Sequence, residues 1–260
     1  MTAKPDVRRI LVINLHSSYN AGDSALLQAT VAQLRDAFPL AQLTLAVNDV
    51  ESVTSQVVDG AVIPSFMALF GPVGKEQGQH WRLLRMLVVF AISFVAGIWY
   101  RWTHRVVAQL PSRLGALVQS YCEAEIVVGC PGNIFFTLGR FGIPFLVSGF
   151  TVGFALLLKK PLYVMPQSIG PLHRRWERHV VRALYSRARL LFVREPVSAR
   201  LMRELGMPDE RVHLVPDLAV NLPAAPVDQL PGLLHGASSR HHPRLGITVI
   251  NQIVRAVDDT

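Results

Sequence analysis

Short apolar runs of strand length alternate with longer stretches of helical spacing, and this restricts the chain to a parallel sheet with helices on both faces. Residues 9–15 are almost unbroken apolar sequence, as expected of a strand covered on both faces. Residues 24–38 then set Leu27, Val31, Leu34 and Phe38 along one helical face. Further strands are read at 42–47, 61–63, 125–129, 161–165, 190–193 and 212–215. Between them lie a core helix at 141–158, which contains Gly142, Pro144, Gly149 and Gly153, a basic helix at 173–187, and a helix at 197–205 ended by Gly206. The expected fold class is α/β, a Rossmann-like doubly wound parallel sheet.

The pattern changes after residue 220. Pro223, Pro226, Pro231 and Pro243, with Gly and Ser between them, mark residues 221–244 as a linker. Residues 245–250 read as the first strand of another domain, and the chain stops about ten residues later. The expected layout is a domain at 1–220 with an apolar helical insertion at 82–107, then the linker, then the start of an incomplete domain at 245–260.

Half of the 260 residues are hydrophobic and 17% are charged, enough for a large core and unlike a disordered chain. The net charge is +8, and many of its arginines lie between 173 and 211. That balance suits phosphorylated small molecules, an anionic membrane or nucleic acid. Nucleic acid is set aside, because no recognised motif and no interleaving of aromatic and basic residues is present. Cys122 and Cys130 fit no zinc or redox spacing and read as reduced thiols of a cytoplasmic protein, with no metal expected. The start of the chain does not read as a signal peptide, since its apolar run at 10–15 is too short.

Residues 86–100 are uncharged, with Arg82 and Arg85 before them, Arg101 and Arg105 after, and Trp81, Trp99, Tyr100 and Trp102 at the ends. About 15 residues fall short of the roughly 20 needed to cross a bilayer. Three readings stand. The stretch is a helix buried by the chain or by a second subunit of a homo-oligomer, a helix lying at the inner face of the cell membrane through 82–105, or a true membrane span.

Unusual polar residues fall just after the predicted strands: Asn20-Ala21-Gly22-Asp23, Cys130-Pro131-Gly132-Asn133, Gln167-Ser168-Ile169-Gly170-Pro171, Arg194-Glu195 and Pro216-Asp217. The carboxyl ends of the strands of a doubly wound sheet line one crevice, where ligands bind. Gly22 is expected to turn the backbone tightly. Asp23 is read either as a cap of the following helix or, with Asn20, as a holder of sugar hydroxyls. The segment 167–171 is read either as an ordinary strand-to-helix turn or as an anion site, where Gly170 admits a ligand to the main chain and the helix amides beyond it, with Arg174 and Arg175, hold the anion. Arg194 is read either as a fork for carboxylate or phosphate, or as the partner of Glu195 or Asp217. Asp217 is alternatively a turn residue, and His173 reads as a solvated helix residue. The absence of a GxGxxG spacing argues against a dinucleotide.

In order and spacing, these segments resemble the polysaccharide pyruvyl transferase family. Asn20-Ala21-Gly22-Asp23 is similar to its NxGD signature, 164–172 to its PQSIGP segment, Arg194-Glu195 with Ser198 and Leu205-Gly206 to its RE-x-x-S…LG stretch, and 215–217 to its VPD element. The agreement spans about residues 8–220. The chain departs from the family at Cys130-Pro131-Gly132-Asn133, where a glycine-rich turn is usual, and at Glu125, where Asp is usual. The resemblance implies a two-domain GT-B-like fold, phosphoenolpyruvate as co-substrate with no cofactor, and a sugar of a polysaccharide or lipid-linked glycan as acceptor, in exopolysaccharide biosynthesis. The site residues it implies are Asn20, Gly22, Asp23, Gly132, Asn133, Gln167, Ser168, Gly170, Arg194, Glu195 and Asp217, with Asp23 the catalytic candidate. The donor is then held largely by the second domain, so the chain as given is expected to be inactive alone. Two other readings are a GT-B glycosyltransferase using a nucleotide-sugar and a non-catalytic remnant that binds glycan or membrane.

Overall fold

The computed structural model describes residues 7–54, 60–70, 79–137 and 142–223. Its centre is a wholly parallel sheet ordered β3-β2-β1-β4-β6-β7-β8, the crossover pattern of a doubly wound domain. The strands are β1 Arg9–Leu15, β2 Gln42–Val47, β3 Ala61–Pro64, β4 Ile126–Gly129, β5 Gly132–Phe135, β6 Leu162–Ile169, β7 Leu190–Val193 and β8 Val212–Leu214. The helices are α1 Ala21–Ala37, α2 Val50–Thr54, α3 Gln79–Thr103, α4 Ser112–Glu123, α5 Ile143–Leu157, α6 Arg175–Tyr185 and α7 Pro196–Glu204. Met1–Asn221 is one compact unit. Past Pro223 the expected linker, and with it the expected strand at 245–250, lies outside the described residues.

Alternation along β1 explains its continuous apolarity. Ile10, Val12 and Leu15 join Leu27, Val31 and Leu34 of α1 in one core. Leu11 and Ile13 face the other core, with Tyr121 of α4 and Phe154 of α5. Phe66, after β3, is the aromatic hub of that second core. It lies 5.9 Å from Tyr121, 5.0 Å from Phe150, 5.6 Å from Phe154 and 6.3 Å from Phe90 between ring centroids. The Tyr121 hydroxyl is satisfied by donating to the Thr151 carbonyl at 3.0 Å.

Three elements go beyond the sequence reading, the short α2 being the first. Helix α4 buries Leu114, Leu117, Val118 and Tyr121. Residues 132–135, read as part of a turn, form β5, which pairs with the second half of β6 while β4 pairs with its first half. β4 and β5 are therefore one strand broken at Cys130-Pro131. Proline supplies no amide for a ladder there, and Gly132 resumes the strand at φ +132, a conformation open to glycine.

Helix α3 extends past the roughly 15 residues counted for the uncharged stretch 86–100. It runs for 25 residues, because its flanking arginines are good helix formers and continue it. Nor is it buried in the chain's own core. One stripe docks: Phe90 stacks on Phe150 at 3.8 Å, and the Tyr100 hydroxyl donates to the Cys122 carbonyl at 2.9 Å. At Gly97 a Cβ would meet Phe154 and Leu157 side chains at 2.9 Å, so α3 and α5 cross where only hydrogen fits. Gly97→Val should cost about 1–3 kcal/mol through overpacking. Urea denaturation read by circular dichroism checks this, and an unchanged midpoint would mean that the crossing is loose.

Candidate functional site

The carboxyl ends of the parallel strands lie along one edge of the sheet, where a doubly wound fold has its crevice, and the polar residues arrive there because each strand's apolar run stops toward that edge. On the β6–β8 side, Arg194 follows β7 and its N–H donates to the Gln167 carbonyl at 3.2 Å. Its Nε donates to Ser168 Oγ at 2.6 Å and its Nη1 to Asp217 Oδ2 at 2.5 Å. Both charged side chains remain partly open, 24% and 34% exposed. Asn133, exposed on β5, is the register partner of Ser168. Asn133, Ser168, Arg194 and Asp217 thus form one polar row across four strand ends. The ion-pair reading of Arg194 is met by Asp217, which anchors the guanidinium at the rim.

Asp217 also accepts from the Ala219 N–H at 2.9 Å and so starts the 3-10 turn Leu218–Asn221. That turn packs against α1. The segment after β8 therefore crosses toward the first helix, where Asn20 and Asp23 lie. Here the capping assignment is corrected. Asn20, not Asp23, is the N-cap of α1, its Oδ1 accepting the Gly22 N–H at 2.9 Å. Gly22 lies within the first turn of the helix rather than in a tight turn. Asp23 is left half-exposed in that first turn, where the helix dipole favours its charge.

Three other sequence-predicted residues are committed to structure. Gln167 is buried; its Nε2 donates to the Cys130 carbonyl at 2.8 Å, and its Oε1 accepts the Tyr185 hydroxyl at 2.6 Å. It bridges the break between β4 and β5 in place of a ladder bond. Glu195 caps α7 as the residue before it, and its Oε1 accepts from Ser198 Oγ at 3.0 Å. Gly170 has φ +97, and Leu201 Cδ2 lies 3.0 Å from where its Cβ would sit, so apolar packing rather than a ligand occupies that space.

The expected anion site beyond Gly170 is filled by the chain itself. Glu177, fully buried, accepts the Arg174 N–H at 3.1 Å, the Thr137 hydroxyl at 2.5 Å and Arg174 Nη1 at 3.2 Å. Its carboxylate caps α6, and an external anion has no room to replace it. His173 is exposed, its N–H donating to Thr137 Oγ1 at 2.9 Å. Glu125 stands at the amino end of β4, away from the crevice.

The crevice holds residues that the sequence reading passed over. Asn14 breaks the apolar run of β1, sits at φ 63 and is only 7% exposed, yet its Nδ2 has no hydrogen-bond partner. A buried orphan donor on a left-handed backbone is costly on both counts, a combination found at functional sites. Just beyond it, His16 Nδ1 lies 3.3 Å from Asn48 Nδ2, and Asn48 Oδ1 accepts from Ser65 Oγ at 2.6 Å. These three follow β1, β2 and β3, so the strand-end rule already covered them.

Neither cysteine suits nucleophilic work. Burial pushes the Cys130 thiol far up, the nearby Asp23 charge adding to it. Cys122 is pushed up to about 11, mainly by burial, with Lys160 opposing and Glu123 reinforcing. Among the described residues no group of three or more His, Cys, Asp or Glu is placed to hold a metal ion.

The sheet order reverses between β1 and β4, with polar groups on both flanks of that point, which makes this a domain of the doubly wound α/β class. The family model for polysaccharide pyruvyl transferase matches residues 20–256, and the chain belongs to that family, one named for a transferase activity. A comparison with curated proteins returned no match.

Two outcomes follow from these contacts. Glu177→Gln removes the charge that three donors share and should lower stability by roughly 1.5–3 kcal/mol, read from denaturant unfolding. At pH 8 only about one Cys122 in a thousand is thiolate, given a value near 11. An aromatic disulfide reagent should therefore label both thiols far faster in unfolded than in native protein.

Proposed function

We propose that the crevice binds the sugar acceptor of a pyruvyl transfer from phosphoenolpyruvate, the product being a cyclic ketal on a polysaccharide or a lipid-linked glycan in the cytoplasm. The observation that carries this reading is the partly open row Asn133–Ser168–Arg194–Asp217 facing the α1 start across the sheet's switch point. Neutral amides and a carboxylate of this kind match vicinal hydroxyls, whereas the guanidinium matches the carboxylate or phosphate of the donor. Family membership supplies the class of chemistry.

The reaction balances as follows. One acceptor hydroxyl adds to C2 of the enol phosphate as the methylene carbon takes a proton and becomes methyl. The second hydroxyl then displaces phosphate from the same carbon, and its proton leaves with the phosphate or through a base. The first addition needs a base at the hydroxyl, and the half-exposed Asp23 carboxylate in the first turn of α1 is our candidate. Arg194, held in place by Ser168 and Asp217, is proposed to offset charge on the donor as phosphate departs. A positioned side-chain base contributes typically 10²–10⁴-fold.

The test is phosphate release from phosphoenolpyruvate with a glycan acceptor, in an enzyme that also carries the donor-binding domain and in its Asp23→Asn variant. A fall in kcat of about 100-fold or more, with thermal stability nearly unchanged, is the expected result. Unchanged kcat would remove Asp23 from the reaction. Arg194→Lys, which loses the fork, should raise KM for phosphoenolpyruvate and lower kcat by at least about 10-fold. If turnover instead required a nucleotide-sugar and ignored phosphoenolpyruvate, the donor assignment would fall.

A further inference from the structure

The outer face of α3 is apolar along its length and turned to solvent. Leu87, Phe94, Val95 and Trp99 are 52–66% exposed, and no charged side chain interrupts residues 86–100. Monomeric proteins rarely leave such a patch in water. At its ends stand Trp81 and Trp102, 71% and 84% exposed, with Arg82, Arg85, Arg101 and Arg105. No Asp or Glu occurs between residues 77 and 122.

The same surface continues onto α5 and α6. A groove of about 410 Å³ is lined by Phe94, Phe150, Phe154, Leu157 and Leu184. It shares Leu156 and Arg187 with a basin of about 480 Å³ whose other walls include Lys159, Lys160, Arg189 and Arg211, with no acidic residue among them. An apolar slot that opens into a cationic basin has the shape and charge of an anionic amphiphile.

We propose that this face docks on a bilayer rich in anionic phospholipid, with α3 lying in the interface plane. Tryptophans at both ends sit at headgroup level, and the exposed Arg85 and Arg105 reach outward to phosphates. His80–Thr103 is long and apolar enough to cross a membrane. Its inner stripe, however, is fixed to the folded domain through Phe90 on Phe150, Gly97 against Phe154, and the Arg101 Nη1 bond to the Leu157 carbonyl at 3.2 Å. A helix so held along its length lies on the membrane rather than through it. A second copy fits less well. Twofold pairing of two α3 faces, parallel or antiparallel, brings arginine ends onto arginine ends with no acid on the helix to separate them. The docking does not depend on which reaction the crevice performs.

The full chain is sedimented with vesicles of phosphatidylcholine alone or mixed equally with phosphatidylglycerol. Binding is expected to the mixed vesicles only, and to weaken as salt shortens the screening length. Each arginine near an anionic surface is worth about a five-fold change in affinity. Arg82→Ser, Arg85→Ser and Arg105→Ser together should therefore cost roughly 100-fold; Arg101 is kept for its bond to Leu157. The exposed single change Trp102→Ser, which touches no core contact, should weaken binding without altering the circular dichroism. In a Trp176→Phe background, lipids brominated in their acyl chains should quench the remaining tryptophans, Trp81, Trp99 and Trp102. The proposal is overturned by equal binding to both vesicle types, by a triple variant that binds like wild type, or by no vesicle binding. A dimer in light scattering that stays off the vesicles would assign the face to a second copy instead.

Discussion

β1 has an apolar side chain on nearly every residue, and neither of its faces can be left to water. Covering both requires helices above and below the sheet, and parallel neighbours then require crossover connections. Within such a sheet a polar side chain is tolerated only where the strand ends. The crevice is the result: the amides, hydroxyls and charges of Asn48, Ser65, Asn133, Ser168, Arg194 and Asp217 gather on one rim because the interior excludes them. Asn14 departs from this rule, as Gln167 does inside β6, but where Gln167 is paired the Asn14 side-chain amide is not, and packing does not account for it.

The fold was legible because both periodicities that define it are strong. Period two was visible only as its limit, a continuous run, since both faces of β1 are buried; period 3.6 showed plainly in α1, whereas α4, with Leu114, Leu117, Val118 and Tyr121 on its buried face, was passed over. β5 was not legible. Four residues led by glycine and preceded by proline carry turn chemistry, and only the length of β6 turns them into a strand. The extent of α3 was hidden for a different reason. Charge ends an apolar run in sequence without ending a helix, so counting uncharged residues measured the stripe and not the element.

The strand-end rule located the site but did not separate ligand-facing groups from structural ones. Glu195 bonds Ser198 only three residues on, whereas Gln167 and Gly170 of the rim motif are used up by neighbours distant in sequence: Cys130 and Tyr185 for the first, Leu201 for the second. Sequence spacing places a donor beside an acceptor only along one element, whereas these partners come from other layers. The same holds for Glu177, whose burial under Arg174 and Thr137 converts an apparent anion site into a finished internal cap. What remained partly open, Arg194 with Asp217, is a pair whose members lie 23 residues apart.

The break between β4 and β5 shapes the crevice in one further respect. β4 stops at Gly129, but the pairing with β6 resumes at Gly132 and runs to Phe135. At about 3.3 Å per residue, Asn133 stands some 13 Å further along the strand direction than the end of β4. The rim is therefore stepped, with a low floor at the ends of β1 and β4 and a tall parapet along β5 and β6. Whatever rests on that floor meets the parapet edge-on. Discrimination there falls on groups around a molecule's perimeter, while its flat faces are judged by the floor alone.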